Sequence, residues 1–455
     1  MVPKLRVDLK TADLDDARVR ARLYASLTVL LFLASITLAT TWAILHHDSI
    51  NWILSDGRYY WCYLPTVVID HDLDIENQVR EHFPERVHQG ILSVRTPRGY
   101  AALKYPIGEA LTLAPAFLVA HGLAGFLHPL TGWTWLKPDG YSFVYQILGL
   151  AWILTLGGLS MILLDRWLTR ILGPPGAAIL AAVLLWWLGT PYFWYFLFEP
   201  FMVHVLSTFW IAVIVYLSGR AIRQARRGHA RWWLPGAIGL AVTMALICRP
   251  TDLVILPVAV AGLWPWLRSA DGRTRWRALP ALVPAAAPIL IQMAVWRIMS
   301  GSFFYYSYGN EPFYFTRPAL WQTLISTRHG LFLWSPLLLV GVWGLARRGS
   351  RWPQSDRPFL VALLIGGVAL WYLNSAWHCW WFGWAFGGRA FTELAPLFLA
   401  GFALALQPYG PDPARSRRRL TLVVAALLCF HFALVVLFAL QIIPPNGDFF
   451  HSLPE

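Results

Sequence analysis

Apolar runs approaching twenty residues recur along the whole chain, and no other feature limits its fold as strongly. A run of that length crosses a hydrocarbon core ~30 Å thick as an α-helix. Inside lipid, only helices and closed barrels satisfy their own backbone hydrogen bonds. The runs fall at about 23–45, 141–164, 176–195, 200–219, 234–248, 253–267, 278–298, 330–346, 358–376, 390–407 and 420–440. The expectation is an all-α polytopic membrane protein with about eleven transmembrane helices. Charged residues make up 13% of the 455, about half the share of a soluble domain.

Charge in the loops sets the topology. Residues 1–22 form a charged segment, with Arg18, Arg20 and Arg22 against the first span, and are not a cleavable leader. The loops at 165–175, 219–233, 268–277, 346–357 and 408–419 hold 19 of the chain's 37 Lys and Arg. The positive-inside rule puts those loops in the cytoplasm. The net charge of +13 therefore reports orientation, not nucleic-acid binding. One segment, 107–127, is apolar enough to span but carries Glu109, Pro115 and His121. If it crossed, the arginine-rich loops would face outward, so it is read as a helix at or partway into the outer interface. The transmembrane domain is then 23–440, with a first outer loop of 46–140 and a short outer tail of 441–455. Four scattered cysteines show no metal spacing; Cys62 and Cys379 are the pair that could meet outside the membrane.

The outer loop from Asn51 to Gly108 is the stretch that packing does not explain. Asp56 stands about ten residues beyond the first span, among Trp52, Arg58, Tyr59, Tyr60 and Trp61. A carboxylate fenced by aromatics is partly desolvated and so a better base; the bland reading is a helix N-cap for 57–69. Asp70, Asp72, Asp74 and Glu76 read as a solvated acidic loop, because the glycine and closing Glu of a calcium loop are missing. Lys104, at the entrance of the interfacial helix with Pro106 in its first turn, sets a cation beside a helix N-terminus. That is an anion site, or a snorkelling lysine at the membrane edge.

Further outer residues come from distant segments. Arg249 has Asp252 as a near partner, and Arg389 follows Gly387-Gly388 with Glu393 four residues on, which allows an intrahelical pair. The alternative for both is a phosphate clamp, since guanidinium binds phosphate bidentately. Glu199 lies at an outer corner with His204 a turn further. It is either a cap or, with Asp56, an oxygen ligand for a divalent cation. His204 and His431, inside spans, read as packing residues. Tyr308, in the aromatic loop 299–329, and Arg328 add a sugar-stacking or interfacial surface.

Taken together, these residues resemble the GT-C superfamily of polytopic glycosyltransferases, near its protein O-mannosyltransferase and aminoarabinose transferase branch. The resemblance rests on Asp56 soon after the first span, Lys104 and Pro106 before an interfacial helix, and Glu199 at the second outer corner. Arg249 after the fifth span, Gly388-Arg389 before a late span and the run Arg328–Pro336 complete it. The family often has Asp-Glu where this chain has Asp56-Gly57, and Tyr105 splits the Lys-Pro pair. The resemblance implies inverting transfer of a sugar from a polyprenyl-phosphate donor to a protein, lipid or glycan hydroxyl, on the outer side of a bacterial inner membrane. Asp56 would act as base, with Lys104, Arg249 and Arg389 on the phosphate. A lipid-linked glycan polymerase or ligase, or a flippase for a lipid-linked anion, are the competing functions; the latter calls for charges deep in spans and repeated halves.

Overall fold

The computed structural model describes residues 13–47, 49–83, 92, 94–173, 175–309, 311–407 and 412–444. Residues 1–12 of the charged segment and 445–455 of the tail lie outside the described residues. The helices, in chain order, are α1 (Ala17–His46), α2 (Gly57–Pro65), α3 (Glu76–His82), α4 (Gly108–Thr131), α5 (Phe143–Leu172), α6 (Gly176–Gly189) and α7 (Pro191–Leu197). They continue as α8 (His204–Arg226), α9 (Leu234–Cys248), α10 (Leu256–Ser269), α11 (Gly272–Ala278) and α12 (Leu282–Ser300). The last are α13 (Gln322–Ile325), α14 (Leu331–Trp334), α15 (Leu338–Arg348), α16 (Arg357–Ala376), α17 (Ala395–Leu406) and α18 (Pro413–Ala439).

Among the described residues, nine helical segments are long and apolar enough to cross a membrane, or ten if α6 and α7, which meet at a 69° bend, form one span. The chain is an all-α polytopic membrane protein. That tally includes α4 and leaves out α9, which has 15 residues. It also leaves out the run at 330–346, which is broken into α14 and α15 around Ser335-Pro336. Proline has no N–H to continue the ladder there.

Polar contacts sort the connections onto two ends. At one end Arg20 donates to Asp165 (2.7 and 2.9 Å), and the Asp15 carboxylate accepts from the Gly176 N–H (2.6 Å). Arg226 pairs with Asp356 at 3.1 Å, the Trp266 indole donates to the Arg231 carbonyl, and Arg348 donates to the carbonyls of Leu404, Ala405 and Gln407. This basic end unites the arginine-rich loops that the sequence groups together. At the other end the Trp52 N–H donates to Gln146, the Ile107 N–H to Gln292, Thr96 to the Met299 carbonyl and Asn374 to the Ala390 carbonyl.

The chain leaves α1 and enters α5 at the same end, opposite Arg20–Asp165, so the segment between them makes no net crossing. Its Gly108 packs on the backbone of Ile247 and Cys248 at the end of α9, with no room for a Cβ. Further along, His121 Nδ1 lies 2.8 Å from the Tyr145 hydroxyl at the start of α5. The helix starts at Gly108, two residues after Pro106, and the close approach there needs a residue without a side chain. All four cysteines are free. Cys62 is buried beside the Tyr141 hydroxyl, so the pair considered with Cys379 does not form.

The two-ended arrangement has a direct check. In a variant with Cys379 and Cys429 replaced by Ser, single cysteines at His229 and Arg273 should label from one side of the membrane with an impermeant thiol reagent. Cysteines at Phe304 and Trp384 should label from the other. Labelling of His229 and Phe304 from the same side would refute this topology.

Candidate functional site

The end opposite the basic loops holds a cavity of about 500 Å³. Asp56 reaches it through local backbone geometry. Ser55 adopts a left-handed conformation (φ 51°) that turns the chain into α2. Asp56 takes the N-cap position, yet its side chain makes no capping bond; only its carbonyl accepts, from the Tyr59 and Tyr60 N–H groups. The carboxylate is turned instead to Arg389, whose Nη2 lies 3.2 Å from Oδ2. Gly57 lets α2 sit directly on the Phe201 backbone, where a Cβ would clash. A second carboxylate after Asp56 has no space.

Three cations and three carboxylates meet here, each pair joining distant parts of the chain. Arg389 meets Asp56, Arg249 meets Glu393, and Lys104 Nζ meets Glu311 at 3.0 Å. The local pairs that the sequence allows, Arg249 with Asp252 and Arg389 with Glu393, are exchanged for these. Asp252 is buried and accepts from the Ser207 hydroxyl at 2.6 Å. The exchange follows from burial: the Glu393 carboxyl is 0% exposed and Arg249 only 12%. Such charges must pair with whatever counter-charge the fold brings close. Burial works against the Arg249 cation, but Glu393 and Asp252 outweigh it and hold its pKa above the usual arginine value.

Arg389 is held from two sides. Its Nη2 also donates to the Phe382 carbonyl at 2.9 Å. Phe382 lies at φ 60° with Gly383 at φ 64°, a left-handed pair that aims this carbonyl inward. His329, itself at φ 60°, fixes the preceding residue, with Nδ1 2.8 Å from the Trp381 carbonyl. The Arg328 guanidinium stacks over the Trp381 ring. The Arg328–Pro336 run thus anchors the loop that orients Arg389. The other guanidinium nitrogen, Nη1, is buried with no hydrogen-bond partner among the described residues.

Of the residues singled out in the sequence, Asp56, Tyr60, Lys104, Arg249, Tyr308 and Arg389 line the cavity. Others stand behind its wall. Arg58 donates to the Ile53 carbonyl and stacks on Phe83; Tyr59 stacks on Tyr105. Glu199 accepts from the Trp194 indole at 2.9 Å. Its carboxyl is pushed above the ordinary value by burial, against the pull of Trp194 and Arg389. Tyr60 is raised well above the usual phenol by burial. Burial also pushes Tyr308 up to about 12, with Arg249 opposing. Both phenols therefore keep their protons at neutral pH and can donate hydrogen bonds.

Glu311, His204 and the aromatics Trp377 and Trp384 line the cavity unpredicted. His204 sits within reach of Thr392 (3.2 Å) and Glu393 (3.7 Å); its position one turn after Glu199 was the available signal. The acidic segment is a self-folded loop: Asp70 bonds Asn77 and Gln78, and Glu76 pairs with Arg80 and Arg95. Of the two residues considered for a divalent cation, Asp56 gives one oxygen to Arg389 and Glu199 one to Trp194; no group of three His, Cys, Asp or Glu that could hold a metal ion is found among the described residues.

No family model and no curated protein matches this chain. Among solved structures it is similar to the archaeal oligosaccharyltransferase AglB from Archaeoglobus fulgidus, determined in complex with an inhibitory peptide and a dolichol-phosphate. That likeness covers 93% of this chain at 14% identity with a TM-score of 0.40. The chain spans about half of that protein's length (55%).

The ion pairs differ in what they contribute. Glu393→Gln strands a buried guanidinium and should cost about 3–5 kcal/mol, read as a fall in thermal unfolding temperature. Glu311→Gln, at a partly exposed pair, should cost about 1 kcal/mol or less. Equal losses would contradict this ranking. Gly57→Ala should destabilise by about 1–3 kcal/mol through overpacking on Phe201; unchanged unfolding would show that the contact is not tight.

Proposed function

We propose that this chain is a membrane glycosyltransferase of the GT-C type. It moves a sugar from a polyprenyl-phosphate donor to an acceptor hydroxyl, with inversion. The observation that carries this reading is the Asp56–Arg389 pair in the wall of an aromatic-lined cavity, with the Asp56 carboxylate partly exposed. A guanidinium held by a carboxylate base suits a reaction that moves a proton one way and negative charge the other, because protonating the carboxylate releases it.

The acceptor hydroxyl attacks the anomeric carbon, forming a C–O bond, and its proton passes to Asp56. The bond between that carbon and the phosphate oxygen breaks, and its electron pair stays on the lipid phosphate. The phosphate gains one negative charge as Asp56 loses one, so the charge of the site stays constant. Protonation of Asp56 frees Arg389 to face the phosphate, where a preorganised cation in a low-dielectric site acts strongly. Arg249 and Lys104, lining the same cavity, extend the cationic wall. Tyr60, Tyr308, Trp377 and Trp384 offer hydroxyls and ring faces to a sugar.

The cavity's charges gather at one end of the bundle, which favours transfer over transport. The positive-inside rule puts the basic end in the cytoplasm and this cavity on the outer side of the plasma membrane.

In membranes supplied with a polyprenyl-phosphate sugar, Asp56→Asn should lower transfer by about 10²–10⁴-fold while binding of the lipid phosphate persists. Full activity in Asp56→Asn would overturn the assigned base. Arg389→Ala should weaken binding of the polyprenyl phosphate; binding at wild-type strength would remove the phosphate from this side of the cavity.

A further inference from the structure

A second hollow, of about 450 Å³, lies at the basic end between α9 and the start of α12. Its walls are apolar: Trp232, Trp233 and Leu240 from one side, Pro280, Ala281 and Pro284 from the other. Its floor is fixed by Gly236, where the two segments approach so closely that a Cβ would meet the Ala281 carbonyl. The width of the groove is thereby built into the backbone.

Charge surrounds this groove on the side facing its own end of the bundle. The chain enters the Trp232 wall from Arg231 and the Pro280 wall from Arg273, Arg275 and Arg277 of α11, all exposed. The Arg220 guanidinium stacks over the Trp233 ring, 5.2 Å from its centroid. Within 219–233 there is no carboxylate, and within 268–277 there is only Asp271, which caps α11 by accepting from the Thr274 N–H. Arg226 pairs with Asp356 and Arg275 donates to the Leu267 carbonyl. Arg231, Arg273 and Arg277 make no ion pair among the described residues. Trp276 projects from α11 at 75% exposed and Trp232 at 47%, the depth-marking aromatics of a headgroup layer.

We infer that this groove binds an anionic glycerophospholipid of the leaflet at the basic end. One acyl chain lies against Trp232, Gly236 and Pro284, and the phosphate sits among Arg231, Arg273 and Arg277. Apolar walls alone would accept any lipid; the arginines, which outnumber the single neighbouring carboxylate of Asp271, select a negative headgroup. A basic pocket between membrane helices on this side suits such recognition. The site lies at the opposite end from the transfer cavity and does not depend on the reaction assigned there.

The test uses the full-length protein in neutral detergent, titrated with phosphatidylglycerol or phosphatidylcholine and read by native mass spectrometry and thermal unfolding. Phosphatidylglycerol should bind about tenfold more tightly. The surface variant R231Q/R273Q/R277Q should bring the two lipids within about twofold, and A237W, which fills the groove, should weaken both. If A237W does not fold, the arginine variant still decides. Equal binding of the two lipids by the unaltered protein, or a preference that survives the triple substitution, overturns the inference. Glycerol phosphate acting as strongly as the lipid would also overturn it, because the groove would then contribute nothing.

Discussion

Burying a guanidinium at the rim of a membrane costs several kcal/mol unless a carboxylate meets it, and this protein does so twice at one end. Arg389 and Arg249 are each almost fully enclosed, and each takes its counter-charge from far along the chain, Asp56 and Glu393. The pairing constrains the rest of the bundle. For Arg389 to reach Asp56, the start of α2 must lie on the Phe201 backbone, which Gly57 permits. For Arg249 to reach Glu393, the ends of α9 and the 389–394 turn must converge beside α8. The charged cavity and the helix packing are two views of one arrangement.

Much of this was legible in the sequence because charge is conspicuous in an apolar chain. Asp56 stood out by its aromatic surroundings, Lys104 by its place before a helix, Arg249 by the cost of a charge between two spans and Arg389 by its flanking glycines, and the arginine-rich loops gave the two ends. Partners were less legible. Sequence spacing favours neighbours, so Asp252 looked like the mate of Arg249 and Glu393 that of Arg389. Three dimensions offered each cation a remote carboxylate, and which carboxylate wins depends on helix approach distances that no local pattern encodes. Glu311 was hidden for the opposite reason: an acidic residue in an outer loop is ordinary until a lysine is found beside it.

The same distinction separates α4 from the spans. Its composition is that of a crossing helix, and length alone counts it as one. Connectivity gives the segment between α1 and α5 no net crossing, because both helices meet it at the end opposite Arg20–Asp165. Loop charge had carried that information, since each added crossing inverts every downstream loop.

The site's cations are all matched before any substrate arrives, which bears on how it would act. An unmatched cluster of three cations would attract any anion and would be costly to fold. With Asp56 holding Arg389, Glu393 holding Arg249 and Glu311 holding Lys104, the cavity is nearly neutral at rest. In the proposed transfer, only one of these carboxylates changes charge. Asp56 is partly exposed, at 31%, as Glu311 is, whereas the Glu393 carboxyl is sealed. Proton uptake at the exposed carboxylate would release one guanidinium when the leaving phosphate gains charge, while the sealed pair keeps the helices in register. An arrangement with Asp56 buried and Glu393 exposed would hold the same charges but could not pass a proton from an acceptor in the cavity to the carboxylate that restrains Arg389.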